Sequence, residues 1–141
     1  MSRPLPKHLA SREFVLSVIE DMRTALATPG YALNMTWWAS TNEEDGCCHV
    51  CAGGAAVIFG MGGRPDYYQW TPEQDLVADW CDSVRTGDWD GCACNGHPVP
   101  ESACDAWDCA MIAPRQPDFF SAWERFANAL PTLAEIEGVK P

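Results

Sequence analysis

Helix start and stop signals, joined by apolar residues at helical spacing, dominate this sequence. Thr71 and Gln74 form a capping-box pattern, with Pro72 at the first helical position. Apolar residues then recur every four positions, which predicts a helix to about residue 85 with its buried face at Leu76, Trp80 and Val84. Val77 and Cys81 are expected beside that face.

Three further segments are also predicted to be helical. Ser11 can cap a helix running to about Thr28, with an apolar face at Val15, Ile19, Met22 and Leu26. Asp118 can cap a last helix, broken at Pro131, with an apolar face at Phe119, Trp123, Phe126 and Leu130. A helix is also expected from about Cys47 to Phe59, where Gly53 and Gly54 would allow another element to approach closely.

These signals predict a mainly α fold. We expect a flexible N-terminus over residues 1–10, then one small helical domain over residues 11–138. Residues 31–37 alternate apolar and smaller or polar side chains, so a short two- or three-stranded sheet is compatible with the pattern. A shorter helix is expected over residues 101–112.

Acidic charge is the strongest compositional signal. The chain has 20 acidic and 9 basic residues, a net charge of -11. Residues 66–108 hold ten acids and a single base, Arg85. Such a surface repels phosphate backbones, so direct nucleic-acid binding is not expected, whereas a partner protein with a basic surface would be attracted. The expected partner-binding residues are Asp75, Asp79, Asp82, Asp88, Trp89 and Asp90. The alternative is that the acids only keep the domain soluble.

Cysteine spacing leaves two further hypotheses open. Cys48 and Cys51, three positions apart, could join Cys92 and Cys94, or a set that uses His97, to hold zinc with four tetrahedral ligands. A set of Cys92, Cys94, Cys104 and Cys109 is equally compatible with the spacing. The alternative is that these cysteines act as small buried apolar residues.

A reactive thiol is the other hypothesis. At the start of the expected second helix, the helix dipole would lower the pKa of Cys47 or Cys48, although Glu43, Glu44 and Asp45 would raise it. A thiol-dependent enzyme is therefore an alternative function. The chain contains no P-loop and no dinucleotide-binding glycine motif.

The sequence has neither a stretch of about 18 apolar residues nor an apolar signal-peptide core. We therefore expect a cytoplasmic protein without a membrane partner, in which disulfides are not expected.

Three stretches, "VIEDMRTALATPGY", "GCCHVCAGGAAVIFG" and "LVADWCDSVRTGDWDG", resemble a group of small phage and actinobacterial proteins. The resemblance covers about residues 15–91, and the spacing of Cys47, Cys48 and Cys51 departs from the C-C-L-G-V pattern of that group. It implies a small intracellular protein and is compatible with a phage origin, and no catalytic residue can be transferred from the group to this chain. The resulting hypothesis is a non-enzymatic acidic protein that inhibits a host protein in the host cytosol by imitating a phosphate backbone.

Overall fold

The structure is a computed structural model that describes residues 8–33, 39–86 and 119–138. Its five α-helices are α1 (Arg12–Ala27), α2 (Ala52–Ala55), α3 (Pro72–Thr86), α4 (Phe119–Ala129) and α5 (Leu133–Glu137). Its three strands are β1 (Tyr31–Leu33), β2 (Ala39–Thr41) and β3 (Cys48–Val50). A π-helical segment (Ala56–Gly60) extends α2, and a 3₁₀ turn (Tyr67–Gln69) precedes α3. The mainly α fold with a short three-stranded sheet is confirmed.

The Cys-rich segment forms the central strand of the sheet, so the predicted helix start near Cys47 is wrong. β3 pairs in parallel with β1, where Tyr31 lies opposite Cys48, and antiparallel with β2, where Thr41 lies opposite Cys48. The backbone N–H of Cys48 donates to the carbonyl oxygen of Gly30 at 2.8 Å. Pairing on both sides satisfies the backbone groups of β3, and the helix begins only at Ala52.

Helix α1 contributes one buried face to the core. Its side chains at Val15, Val18, Ile19, Met22 and Ala25 are buried. Leu26, which the spacing placed on that face, is 51% exposed, so this assignment is wrong. In the last two turns the buried residues are three positions apart, at Ile19, Met22 and Ala25, so Ala25 is buried in place of Leu26.

Helix α2 packs against both α1 and α3. A Cβ atom placed on Gly53 would lie 2.8 Å from the Cα of Ala78 and 3.0 Å from its carbonyl oxygen. Gly53 therefore lets the backbones of α2 and α3 approach more closely than any side chain would allow. This confirms the close approach predicted from the glycines and identifies α3 as the partner at Gly53.

Helix caps follow the sequence signals closely. The Ser11 hydroxyl accepts from the N–H of Phe14 at 3.2 Å. The Thr71 hydroxyl accepts from the N–H of Gln74 at 3.2 Å, and the Gln74 side chain accepts from the N–H of Thr71 at 2.9 Å. The predicted capping box is confirmed. A second box, formed by Thr132 and Glu135 at the start of α5, was not predicted.

The apolar face predicted for α4 is confirmed, since Phe119, Trp123, Phe126 and Leu130 are all buried. On α3, Val77, Trp80 and Cys81 are buried, whereas Leu76 is only half-buried. Leu9 and Ala10 also belong to the core, so the packed part of the chain starts before residue 11. Residues 1–7 and the helix predicted over residues 101–112 lie outside the described residues.

Candidate functional site

The predicted acidic surface can be followed on α3 as far as residue 81. Glu73 and Asp75 lie in the first turn, where negative charge complements the positive end of the helix dipole. Asp79 is exposed, and Asp75 is half-buried. Asp82 lies further along α3, but its side chain is outside the described part of the chain. Asp88, Trp89 and Asp90 lie outside the described residues altogether.

Two of the described arginines, Arg12 and Arg23, make their contacts between α1 and α4. Arg12 donates from its side chain to the carbonyl oxygens of Leu130, at 3.3 Å, and Asn128, at 3.1 Å. Arg23 lies 4.2 Å from the ring centre of Phe120. Its guanidinium is also 3.6 Å from a carboxylate oxygen of Glu124. Both cations therefore join α1 to α4 and the residues just after it.

Several acids outside α1 and α4 are not neutralised within the described ranges. There, no lysine, arginine or histidine forms an ion pair with four acids: Glu43, Glu44, Glu73 and Asp75. The first two lie in the exposed turn between β2 and β3, and the other two lie at the start of α3. Because like charges are left uncompensated, these positions present negative potential to solvent.

The cysteines proposed as zinc ligands are only partly described. The side chains of Cys48 and Cys51 are buried, and the half-buried His49 lies between them in the sequence. Cys92, Cys94 and His97 lie outside the described residues, as do Cys104 and Cys109. In the part of the chain that the structure does describe, no three His, Cys, Asp or Glu side chains form a metal-binding group. The buried pair alone supplies fewer ligands than zinc requires.

The geometry of Cys48 does not match an activated thiol. Cys48 lies in β3, so the expected position at a helix N-terminus is wrong. Its Sγ donates to the carbonyl oxygen of Pro65 at 3.5 Å. Burial, and secondarily the charge of Asp66, raises the pKa of the Cys48 thiol above its usual 9.0. The thiolate needed for nucleophilic attack is therefore disfavoured at neutral pH.

A carboxylate–imidazole pair, which the sequence did not reveal, lies beside the cysteines. Nε2 of His49 is 2.7 Å from Oδ2 of Asp45. The backbone N–H of Cys47 also donates to Asp45, at 2.9 Å. These two contacts, the backbone bond first, lower the pKa of Asp45 below its usual 3.8. Because Asp45 and His49 are four residues apart across a turn, their proximity depends on the hairpin geometry.

Two adjacent tyrosines, which we call the tyrosine pair (Tyr67 and Tyr68), form the most exposed aromatic feature of the described chain. Their ring centres are 4.2 Å apart and their planes 29° apart, which is a stacked arrangement. Tyr68 is 80% exposed. The neighbouring Trp70 is buried and donates from its indole N–H to the carbonyl oxygen of Arg64 at 2.8 Å.

No protein-family model, curated protein or solved structure matches this chain. Among the described helices, none is long and apolar enough to cross a membrane.

Proposed function

We propose that this protein is a non-enzymatic, acidic interaction protein that binds a basic surface of a protein partner. The binding region is α3 together with the chain before and after it, over residues 66–108, and Asp75, Asp79 and Asp82 lie at its centre. The protein acts in the cytoplasm. If it is encoded by a phage, its natural role is to inhibit a host protein by covering a surface that otherwise holds nucleic acid.

The carrying observation is the group of acids without an ion-pair partner among the described residues at the start of α3. Arg12 and Arg23 make their contacts on the α1–α4 side. Glu73 and Asp75, at the start of α3, form no ion pair with any described residue. Uncompensated acids of one sign steer an oppositely charged partner toward that side and raise the rate of association.

The regular spacing on α3 supports a surface that resembles a row of phosphates. Asp75 and Asp79 are four residues apart, so their Cβ atoms lie about 5–6 Å from each other on adjacent turns. A basic groove that holds nucleic acid makes most of its contacts with the regularly spaced negative charges of the phosphate backbone. The same charges oppose direct binding of DNA or RNA to this protein.

The test is a pull-down from lysate of the cell that carries the gene, with a step from low to high salt. We compare the wild-type protein with Asp75→Asn/Asp79→Asn. A matched control, Glu20→Gln/Glu124→Gln, changes the net charge equally on the α1–α4 side. Circular dichroism and urea unfolding of all three proteins separate a loss of binding from a loss of folding.

We expect a dominant partner that is retained at low salt, released at high salt, lost with the α3 variant and kept with the control. Equal binding by the wild-type protein and a folded α3 variant would refute the acidic interface. A partner that both variants lose equally would reveal a general effect of net charge without a defined surface.

A further inference from the structure

The tyrosine pair presents one open aromatic face to solvent. Tyr67 covers one face of the Tyr68 ring, with 4.2 Å between ring centres. Since 80% of Tyr68 is exposed, the opposite face is accessible. Large aromatic residues at such positions are common energetic centres of protein interfaces.

The pair is held in place before any partner arrives. The Asp66 side chain accepts from the backbone N–H of Tyr68 at 3.1 Å. Behind the pair, the Tyr67 ring makes an edge contact with the buried Trp70 ring, at 6.4 Å between centres. The indole of Trp70 donates to the carbonyl oxygen of Arg64 at 2.8 Å. A ring fixed in this way loses little conformational entropy on binding.

The turn that carries the pair lies against the end of the sheet. Cys48, the first residue of β3, donates from its Sγ to the carbonyl oxygen of Pro65 at 3.5 Å. The turn between β2 and β3 reaches the same end of the sheet, because Asn42 donates from its N–H to the carbonyl oxygen of Cys47 at 2.9 Å. Glu43 and Glu44 of that turn are exposed. The fold therefore brings the acidic turn between β2 and β3 and the turn that carries Asp66 and the tyrosine pair to the same end of the sheet.

The charges around the pair favour a cation over an anion. Residues 64–75 contain one base, Arg64, and three acids: Asp66, Glu73 and Asp75. An aromatic face carries negative charge and attracts a cation placed above it. Arginine suits such a site better than lysine, because its planar guanidinium can stack on a ring while donating hydrogen bonds to a nearby carboxylate.

We propose that the open face of Tyr68, beside Asp66, binds an arginine side chain from a basic segment of the partner protein. This inference rests on the proposed function, since it names the chemistry that the acidic region recognises. It adds a preference for arginine over lysine, which acidic charge alone does not provide.

The test uses two synthetic ten-residue peptides, one with five arginines and the other with five lysines at the same positions, separated by glycines. Dissociation constants are measured by titration at low salt for the wild-type protein, Tyr68→Ala, Tyr68→Phe and Leu26→Ala. Leu26 is a second exposed apolar side chain and serves as the matched truncation control.

We expect the wild-type protein to bind the arginine peptide more tightly than the lysine peptide. Tyr68→Ala should weaken arginine-peptide binding about two- to fivefold, the effect of an exposed cation–aromatic contact, and remove most of the preference. Tyr68→Phe keeps the ring and should keep the preference, and Leu26→Ala should change neither value.

An arginine preference that survives in a folded Tyr68→Ala variant would overturn the assignment of Tyr68. Equal binding of both peptides, lost with Asp75→Asn/Asp79→Asn, would overturn this inference and leave the acidic interface intact. Binding of neither peptide would overturn both proposals. Tighter binding of a single-stranded oligonucleotide than of either peptide would assign the ring to base stacking and would overturn the arginine proposal.

Discussion

The contact between α2 and α3 at Gly53 leads to a prediction in which two physical effects oppose each other. Gly53→Ala improves helix propensity, because alanine is about 1 kcal/mol more favourable than glycine inside a helix. It also adds a methyl group where no space exists. The added Cβ would lie 2.8 Å from the Cα of Ala78 and 3.0 Å from its carbonyl oxygen.

The steric term should exceed the propensity term. Carbon atoms in contact normally lie about 3.5–4.0 Å apart, so the two helices would have to separate by roughly 0.7–1.2 Å. Overpacking of this kind costs typically about 1–3 kcal/mol. The nearest atoms to the added methyl group belong to the backbone of Ala78, which cannot rotate away as a side chain can. We therefore expect a steric cost near the upper end of that range, about 3 kcal/mol. The net loss of unfolding free energy is then about 2 kcal/mol.

Urea unfolding, followed by tryptophan fluorescence and by circular dichroism, measures this loss. A domain of this size should also lose about 7 °C in melting temperature for 2 kcal/mol. Gly138→Ala is a control with the same atoms added in open space. Gly138 has a φ of 71° and no atom within 4 Å of the added Cβ, so only the cost of the left-handed backbone, about 1 kcal/mol, is expected.

The double variant Gly53→Ala/Ala78→Gly tests which atoms of Ala78 obstruct the added methyl group. Ala78→Gly removes the Ala78 Cβ, 3.2 Å from the added methyl, but leaves the closer Cα and carbonyl oxygen in place. It should therefore rescue Gly53→Ala only in part. Unchanged or increased stability of Gly53→Ala would refute the close backbone packing, and complete rescue by Ala78→Gly would show that only the side chain obstructs.

Three other predictions concern charge, capping and metal. The contacts that lower the pKa of Asp45 favour its ionised form in the folded state. Their contribution to stability is present above pH 3.8 and is lost as the pH falls through the lower pKa of the folded state. Plots of unfolding free energy against pH for the wild-type protein and Asp45→Asn should therefore converge in acid. Arg12→Ala leaves two carbonyl oxygens at the end of α4 without their donor and should cost about 1–2 kcal/mol in urea unfolding, whereas a loss below 0.3 kcal/mol would show that water replaces the guanidinium. The zinc hypothesis for Cys48, Cys51 and the residues beyond α3 predicts about one zinc ion per chain and loss of helicity under a chelator; metal-free protein with unchanged helicity would exclude it.

The sequence was most informative where a structure depends on residues a few positions apart. The capping box of Thr71 and Gln74 could be predicted because both partners lie within one helical turn. The buried stripe of α4 could be predicted for the same reason, since helical geometry places every third or fourth residue on one face. The acidic excess of residues 66–108 is a property of composition and needs no fold.

Contacts between distant segments were decided by the tertiary structure alone. The segment Cys48–Val50 is a strand because β1 and β2 lie on either side of it and satisfy its backbone, and no local pattern encodes those neighbours. Leu26 follows the apolar spacing of α1 but is exposed, because burial depends on what packs against a helix as well as on its periodicity. The contact of Cys48 with Pro65, which places the turn that carries the tyrosine pair against the end of the sheet, joins residues 17 positions apart. Sequence by itself thus determined α1, α3 and α4, the caps at Ser11 and Thr71, and the charge, since these depend on local geometry and composition. Which surfaces meet was decided by packing between segments far apart in the chain.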